Sequence, residues 1–172
     1  MNLWAELHHL FDNDDGSLPD IFIKNITSSE SEEVYFWVMS LTKSYGEPTL
    51  WSLEEERDIK ISEITNPVSY YFQGKSESFR HGLEEFEFNG TKIPQLTIAV
   101  NETGLEFDYR MGKMWRENEL VALFEFLYQI KLLAPGAEIS QAYEGGSHEP
   151  NIEFARSFDR YVAMRNCAQQ RR

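Results

Sequence analysis

The stretch LTIAVNETGLEFDYRM, residues 96–111, carries an apolar side chain at every second position on both sides of the segment Asn-Glu-Thr-Gly. Because successive side chains of a β-strand point to opposite faces, this alternation predicts two strands joined by a tight turn. The pairing that collects the large apolar residues on one face joins Val100 to Leu105, Ile98 to Phe107 and Leu96 to Tyr109. The apolar face therefore determines the register of this hairpin, and a second layer must cover it.

Strand and helix patterns alternate on both sides of the hairpin. In the first half a strand over 20–26 precedes a capped helix through 34–41, and a further strand follows Pro48. In the second half a strand over 105–111, a helix over 116–133 and a strand after Pro135-Gly136 repeat that order. The pattern predicts an α+β two-layer sandwich, with helices on one face of a mixed, mostly antiparallel sheet, in a ferredoxin-like double β-α-β arrangement.

Further elements extend this arrangement within one predicted α+β domain, residues 1–172. An N-terminal helix over 2–11 leads into an acidic turn within residues 1–15, and a C-terminal helix followed by a polar tail occupies 151–172. Extra strands are predicted over 68–72, 83–88 and 93–100, with a two-residue hairpin turn at Asn89-Gly90 and a bulge or sheet edge at Pro94.

The helix over 116–133 is apolar around most of its circumference, with a narrow polar strip at Glu125 and Gln129. Such a helix is buried on more than one side. The C-terminal helix or a second subunit could provide the second cover, so both a monomer and a homodimer are compatible with the sequence.

The distribution of charge indicates the kind of partner. Residues 1–110 contain 21 acidic and 8 basic side chains, whereas residues 111–172 contain 8 of each, so the first part of the chain carries the whole net charge of −13. Such a field repels nucleic acid and anionic membranes and accelerates encounter with a basic protein. The N-terminus lacks signal-peptide features and no stretch is long enough to span a bilayer, so we expect a cytoplasmic protein.

Protein binding is the function that these features favour. The sequence lacks the common nucleotide-binding, hydrolase and metalloprotease motifs, which favours a non-enzymatic protein. We expect a stoichiometric inhibitor or immunity-type protein that blocks a basic partner such as a nuclease toxin. The predicted partner-binding residues are two acidic runs with one adjacent aromatic anchor: Glu54, Glu55, Glu56, Asp58, Glu84, Glu85, Glu87 and Trp51.

An alternative site lies on the polar face of the opening hairpin, where Glu106, Asp108 and Arg110 project from one side of a strand. With Trp115 they could bind a small molecule or support two-carboxylate hydrolysis. The favoured interpretation is a solvent-facing side of the sheet on which Arg110 neutralises Asp108, because an open charged face cannot separate two carboxyl pKa values. A dimeric structural or regulatory domain is a further alternative.

Neither a metal site nor a cofactor is predicted. The acidic loop over 11–16 resembles a calcium-binding loop only superficially, because Phe11 and Phe22 would occupy the first and last ligand positions of that template. The histidines His8, His9 and His148 have no metal-ligand spacing.

Overall fold

An antiparallel six-stranded sheet forms the centre of the fold, with the strand order β10-β1-β9-β8-β5-β2. The computed structural model describes residues 2–143 and 149–170. The ten strands of these residues are β1 (Asp20–Lys24), β2 (Lys43–Ser44), β3 (Thr49–Ser52), β4 (Arg57–Lys60), β5 (Phe79–Glu84), β6 (Glu87–Phe88), β7 (Thr91–Lys92), β8 (Leu96–Asn101), β9 (Gly104–Tyr109) and β10 (Glu138–Ala142). The helices are α1 (Leu3–Leu7), α2 (Ser28–Leu41), α3 (Pro67–Phe72), α4 (Glu117–Leu133) and α5 (Ile152–Gln169).

The predicted hairpin and its register are confirmed. Strands β8 and β9 pair Val100 with Leu105, Ile98 with Phe107 and Leu96 with Tyr109. All six of these side chains are buried. Strand β1 lies on the other side of β9 and adds Ile21 and Ile23 to the same apolar face.

The sheet and the helices α2 and α4 form the α+β sandwich that the sequence predicts. Phe126 of α4 packs on Phe107, with 5.4 Å between their ring centroids, and Tyr35 of α2 packs on Phe79 at 6.1 Å. Because Phe79 pairs with Val100 in the sheet, both helices contact the face that carries Phe107. Every strand pair among the described residues is antiparallel.

The order β1-α2-β8-β9-α4-β10 contains the two interlocked β-α-β units, but the first unit closes differently from the prediction. The strand after Pro48, β3, forms a separate two-stranded hairpin with β4, and a single bridge from Ser52 to Ser76 joins it to the segment before β5. The strand that returns beside β9 is β8, which begins at Leu96. Residues 42–95 are therefore a long insertion between α2 and β8.

Helix α4 is buried on two sides, and α5 provides the second cover. Phe124 of α4 contacts Phe154, Phe158 and Tyr161 of α5, with ring centroids 5.3 to 5.7 Å apart. The predicted polar strip lies under this cover, because Tyr161 donates a hydrogen bond of 2.6 Å to the buried Glu125. Packing within one chain thus accounts for most of the apolar surface of α4.

Several predicted boundaries were wrong. Residues 68–72 form helix α3 and not a strand, because Asn66 caps the helix by accepting a hydrogen bond from the Ser69 amide at 2.9 Å and Pro67 occupies its first turn. Glu85, with a φ of 53°, divides the strand predicted over 83–88. The strand predicted over 93–100 begins only at Leu96, beyond Pro94.

The turns agree more closely with the sequence. Asn89 and Gly90 have φ values of 50° and 77°, and they join β6 to β7 as the predicted hairpin. The N-terminal helix is shorter than the predicted one, since α1 ends at Leu7 and a 3₁₀ turn over His8–Leu10 follows. The C-terminal helix runs through Gln169 and buries Phe154, Phe158 and Tyr161.

A substitution at Gly104 tests how tightly the turn between β8 and β9 is packed. Its φ is +127°, and a Cβ there would lie 2.5 Å from the Ile23 carbonyl oxygen and 2.6 Å from Ile26 Cγ2. We expect Gly104→Ala to lower the free energy of unfolding by about 3 kcal/mol, measured by urea denaturation, because backbone strain and steric overlap add. The control is Gly90→Ala, where φ is +77° but no atom lies within 4 Å of the added Cβ. Equal losses in the two variants would contradict the packing argument.

His81 makes stability depend on pH. Its Nε2 lies 2.9 Å from the Tyr35 hydroxyl in the core, and burial lowers its pKa from the ordinary 6.5. The unfolded chain therefore binds a proton more readily than the folded protein, so stability is greatest above pH 6.5 and falls as the pH decreases through that value. We expect urea denaturation to show lower stability at pH 5.5 than at pH 7.5, with a smaller decrease for His81→Gln. The same decrease in both proteins would assign the effect to other groups.

Candidate functional site

The first predicted acidic run forms the tip of the β3–β4 hairpin. We call Glu54, Glu55, Glu56 and Asp58 the acidic tip; all four side chains are exposed. Trp51 pairs with Asp58 across the hairpin and is 41% exposed, so an aromatic side chain lies beside these carboxylates. Acidic and aromatic side chains therefore adjoin each other at this hairpin, and their role in binding a partner stays a prediction.

The second predicted run, Glu84, Glu85 and Glu87, lies apart from the acidic tip. Lys43 of β2 pairs with Glu84 at one end of β5, whereas Ser52, at the end of β3, pairs with Ser76 just before the other end of β5. The two runs therefore occupy opposite ends of one sheet edge. Glu85 also forms an ion pair with Lys43, which reduces the charge available at that end.

Glu106 and Asp108 do not face solvent as predicted, because they are only 9% and 7% exposed. Arg80 of β5 bridges them, with its Nη2 at 3.1 Å from Glu106 Oε1 and its Nη1 at 3.5 Å from Asp108 Oδ2. Ala99 pairs with both Arg80 and Glu106, and its short side chain lets the guanidinium reach across β8. The strand β9 is central in the sheet, so neighbouring strands flank its polar side chains.

The alternative ligand site is not assembled. Arg110 pairs with Asp14 at 3.4 Å and not with Asp108, which corrects the predicted pairing. Trp115 is 1% exposed, donates a hydrogen bond to the Arg110 carbonyl and packs on Tyr109. Because Tyr109 and Asp108 are adjacent in β9, their side chains point to opposite faces, and Trp115 is separated from the two carboxylates by the sheet.

A depression of about 700 Å³ opens on the polar face of the sheet, which is the face opposite α2 and α4. Glu106 contributes to its wall, but Asp108, Arg110 and Trp115 do not. The residues that line it come from β1, α3, the segment before β5, the strands β8 and β9 and the turn between these two strands: Phe22, Lys24, Tyr71, Glu77, Ser78, Asn101, Glu102, Thr103 and Glu106. We call this feature the sheet depression.

Sequence reasoning missed the acidic side chains Glu77 and Glu102 of this depression. Each is a single acid in its own segment, outside the acidic runs. Their proximity is visible only in the folded chain, where burial and, to a lesser degree, the charge of Glu102 raise the pKa of Tyr71.

The acidic tip and the sheet depression adjoin each other. The Glu77 amide donates a hydrogen bond of 3.0 Å to the Trp51 carbonyl. In α3, the Tyr70 hydroxyl lies 2.8 Å from Ser52 Oγ and 3.4 Å from Glu54 Oε2, while the next residue, Tyr71, lines the depression. Acidic and aromatic groups are thus contiguous from the hairpin to the polar face of the sheet.

Several other histidines and arginines are paired with acidic side chains within the fold. His8 lies 3.1 Å from Asp12 and His9 lies 3.0 Å from Glu153, and the described residues contain no group of three or more metal-ligating side chains. His148 falls outside the described residues. In the C-terminal helix Arg160 pairs with Glu6 and Arg165 pairs with Glu125. Within the described part of the chain, no helix is long and apolar enough to cross a membrane.

Comparisons with known proteins relate this fold to one solved structure. No family model matches the chain, and no curated protein matches it. The fold is similar to a chain in the crystal structure of the toxic C-terminal tip of CdiA from Pseudomonas aeruginosa in complex with immune protein, with a TM-score of 0.51 and 13% identity. The similarity covers 76% of this chain and 88% of that chain. At this identity the likeness shows a shared α+β fold.

Arg80 provides a test of the buried charges. Its removal leaves Glu106 and Asp108 close together without a cation, so we expect Arg80→Met to lower the free energy of unfolding by about 2 kcal/mol at pH 7. The Arg80 side chain is 60% exposed, which keeps this estimate below the cost of a fully buried pair. As a control, Arg57→Met removes an exposed pair with Glu55 and should cost less than about 0.5 kcal/mol. Urea denaturation of both variants at low salt measures the difference without screening the ion pairs, and similar losses would refute a structural role for Arg80.

Proposed function

We propose that this protein is a non-enzymatic, stoichiometric inhibitor of the immunity type, which binds and blocks a basic toxin. The observation that carries the proposal is the fold shared with a chain of the complex between the CdiA toxic tip and its immune protein. That complex contains both a toxic tip and an immune protein, so the chemistry of this chain must decide between the two roles.

Charge and site geometry favour the inhibitor. The net charge of −13 opposes contact with nucleic acid and favours a basic protein partner. The paired carboxylates that could have supported hydrolysis, Glu106 and Asp108, are held by Arg80 in ion pairs. Because one guanidinium binds both carboxylates, the geometry favours a structural role for this pair.

The acidic tip is the proposed primary contact. Trp51 and Leu53 are 41% and 49% exposed beside Glu54 and Glu56, so apolar anchors are surrounded by charge. Interfaces of high affinity commonly place such anchors within a polar rim, and rim charges accelerate association. We further propose that the protein acts in the cytoplasm. We also propose that it is a monomer, because α5 covers the apolar surface of α4.

The test is neutralisation of a toxin in living cells. A basic polypeptide that co-purifies with this protein at low salt should arrest growth when expressed alone, and co-expression of the wild-type chain should restore growth. We expect E54K/E55K/E56K to bind that polypeptide at least about tenfold more weakly, by isothermal titration calorimetry, and to fail to protect cells.

The matched control changes the same amount of charge elsewhere. E138K/E149K/D159K alters three exposed acids in the C-terminal part of the chain and should retain protection. If the wild-type protein bound the basic polypeptide without relieving growth arrest, the inhibitor proposal would be wrong. Growth arrest caused by this chain alone would instead assign it to the toxin side.

A further inference from the structure

The sheet depression is a concave surface with aromatic and acidic walls. Phe22 and Tyr71 provide rings, and Glu77, Glu102 and Glu106 provide carboxylates, against the single cation Lys24. Concave sites with a few convergent charges are typical places for a partner side chain to be buried.

The carboxylates of the depression differ in availability. Glu106 accepts hydrogen bonds from Arg80 at 3.1 Å and from Asn101 at 3.0 Å, so it is already satisfied. Glu77 and Glu102 are exposed and have no ion-pair partner among residues 2–143 and 149–170. Two carboxylates are therefore free to bind an incoming cation.

The depression already holds one cation against an aromatic ring. Lys24 Nζ lies 4.6 Å from the centroid of the Phe22 ring. Tyr71, whose hydroxyl-bearing ring is also in the wall, has no such cation among the described residues. A planar guanidinium can stack on an aromatic face while it donates hydrogen bonds to carboxylates, which an ammonium group does less well.

We propose that the sheet depression receives an arginine side chain of the basic partner, with the guanidinium paired to Glu77 and Glu102 and stacked on Tyr71. This inference rests on the proposed function and specifies the contact chemistry of the same surface. The occupant is a basic protein because the depression continues into the acidic tip through Glu77 and α3, so one partner can cover both.

The first experiment needs no toxin. An acetylated tri-arginine peptide amide is titrated into ¹⁵N-labelled protein, and amide shifts are followed by nuclear magnetic resonance. We expect the largest shifts at Tyr71, Glu77 and residues 101–103, and binding about twofold or more tighter than that of tri-lysine, because only arginine combines stacking with paired hydrogen bonds.

Two double variants distinguish binding of tri-arginine in the sheet depression from its general electrostatic attraction to an acidic protein. E77Q/E102Q should weaken tri-arginine binding about fivefold or more, since both free carboxylates are lost while Glu106 keeps its partners. E84Q/E87Q removes the same charge from exposed positions at the other end of β5 and should leave the binding unchanged. Equal weakening in the two variants, or shifts spread over all acidic runs, would overturn the proposal.

The second experiment uses the toxin from the neutralisation assay. E77Q/E102Q should lower its affinity about tenfold or more, and replacement of one toxin arginine should abolish the effect of E77Q/E102Q in a double-mutant cycle. Unchanged toxin affinity in E77Q/E102Q would refute the arginine site while leaving the inhibitor function intact. Localised tri-arginine binding without any toxin partner would support the site and refute the function.

Discussion

The fold depends on the burial of strand β9 on both faces, although that strand carries two carboxylates. All six residues of β9 are buried, with Leu105, Phe107 and Tyr109 toward the helices and Glu106 and Asp108 on the opposite face. Burial of an uncompensated carboxylate is costly, so the central position of β9 requires a cation close to it. Arg80 meets that requirement from β5 while its own side chain remains largely in solvent.

The two faces of the sheet therefore have different roles. The apolar face holds α2 and α4 and, through α4, the covering helix α5. The polar face keeps its charges in a network around Arg80 and leaves a depression beside it. Because the apolar layer and the Arg80 network stabilise the sheet, residues of the polar face outside that network, such as Glu77 and Glu102, can vary at little cost to the fold.

The insertion between α2 and β8 supplies most of the proposed binding surface. It contains the acidic tip on the β3–β4 hairpin, the helix α3 with Tyr70 and Tyr71, and Glu77. These groups are added to a compact β-α-β-β-α-β core whose strand pairing does not require them. The groups proposed for recognition thus lie outside the six elements of that core, although β5 of the same insertion extends its sheet.

The order of residues within one short segment was enough to predict the acidic tip and its neighbouring aromatic residue. The consecutive acidic residues near Trp51 can be read directly from the sequence. They are exposed because a short hairpin cannot bury them. The separation of Glu84, Glu85 and Glu87 from the acidic tip could not be predicted, because it depends on which strands flank β5. Glu77, Glu102 and Tyr71 likewise come together only through pairings between distant segments.

By itself, the sequence determined the α+β class, the β8–β9 register and the helices α2, α4 and α5, since each depends on periodicity or capping within a short segment. Tertiary structure decided that β8 and not β3 returns beside β9, that Arg80 and not Arg110 pairs with Asp108, and that α5 covers α4. These outcomes depend on contacts between residues far apart in the chain. Side-chain spacing along a segment determines which face is apolar, but only the packed fold determines what lies against that face.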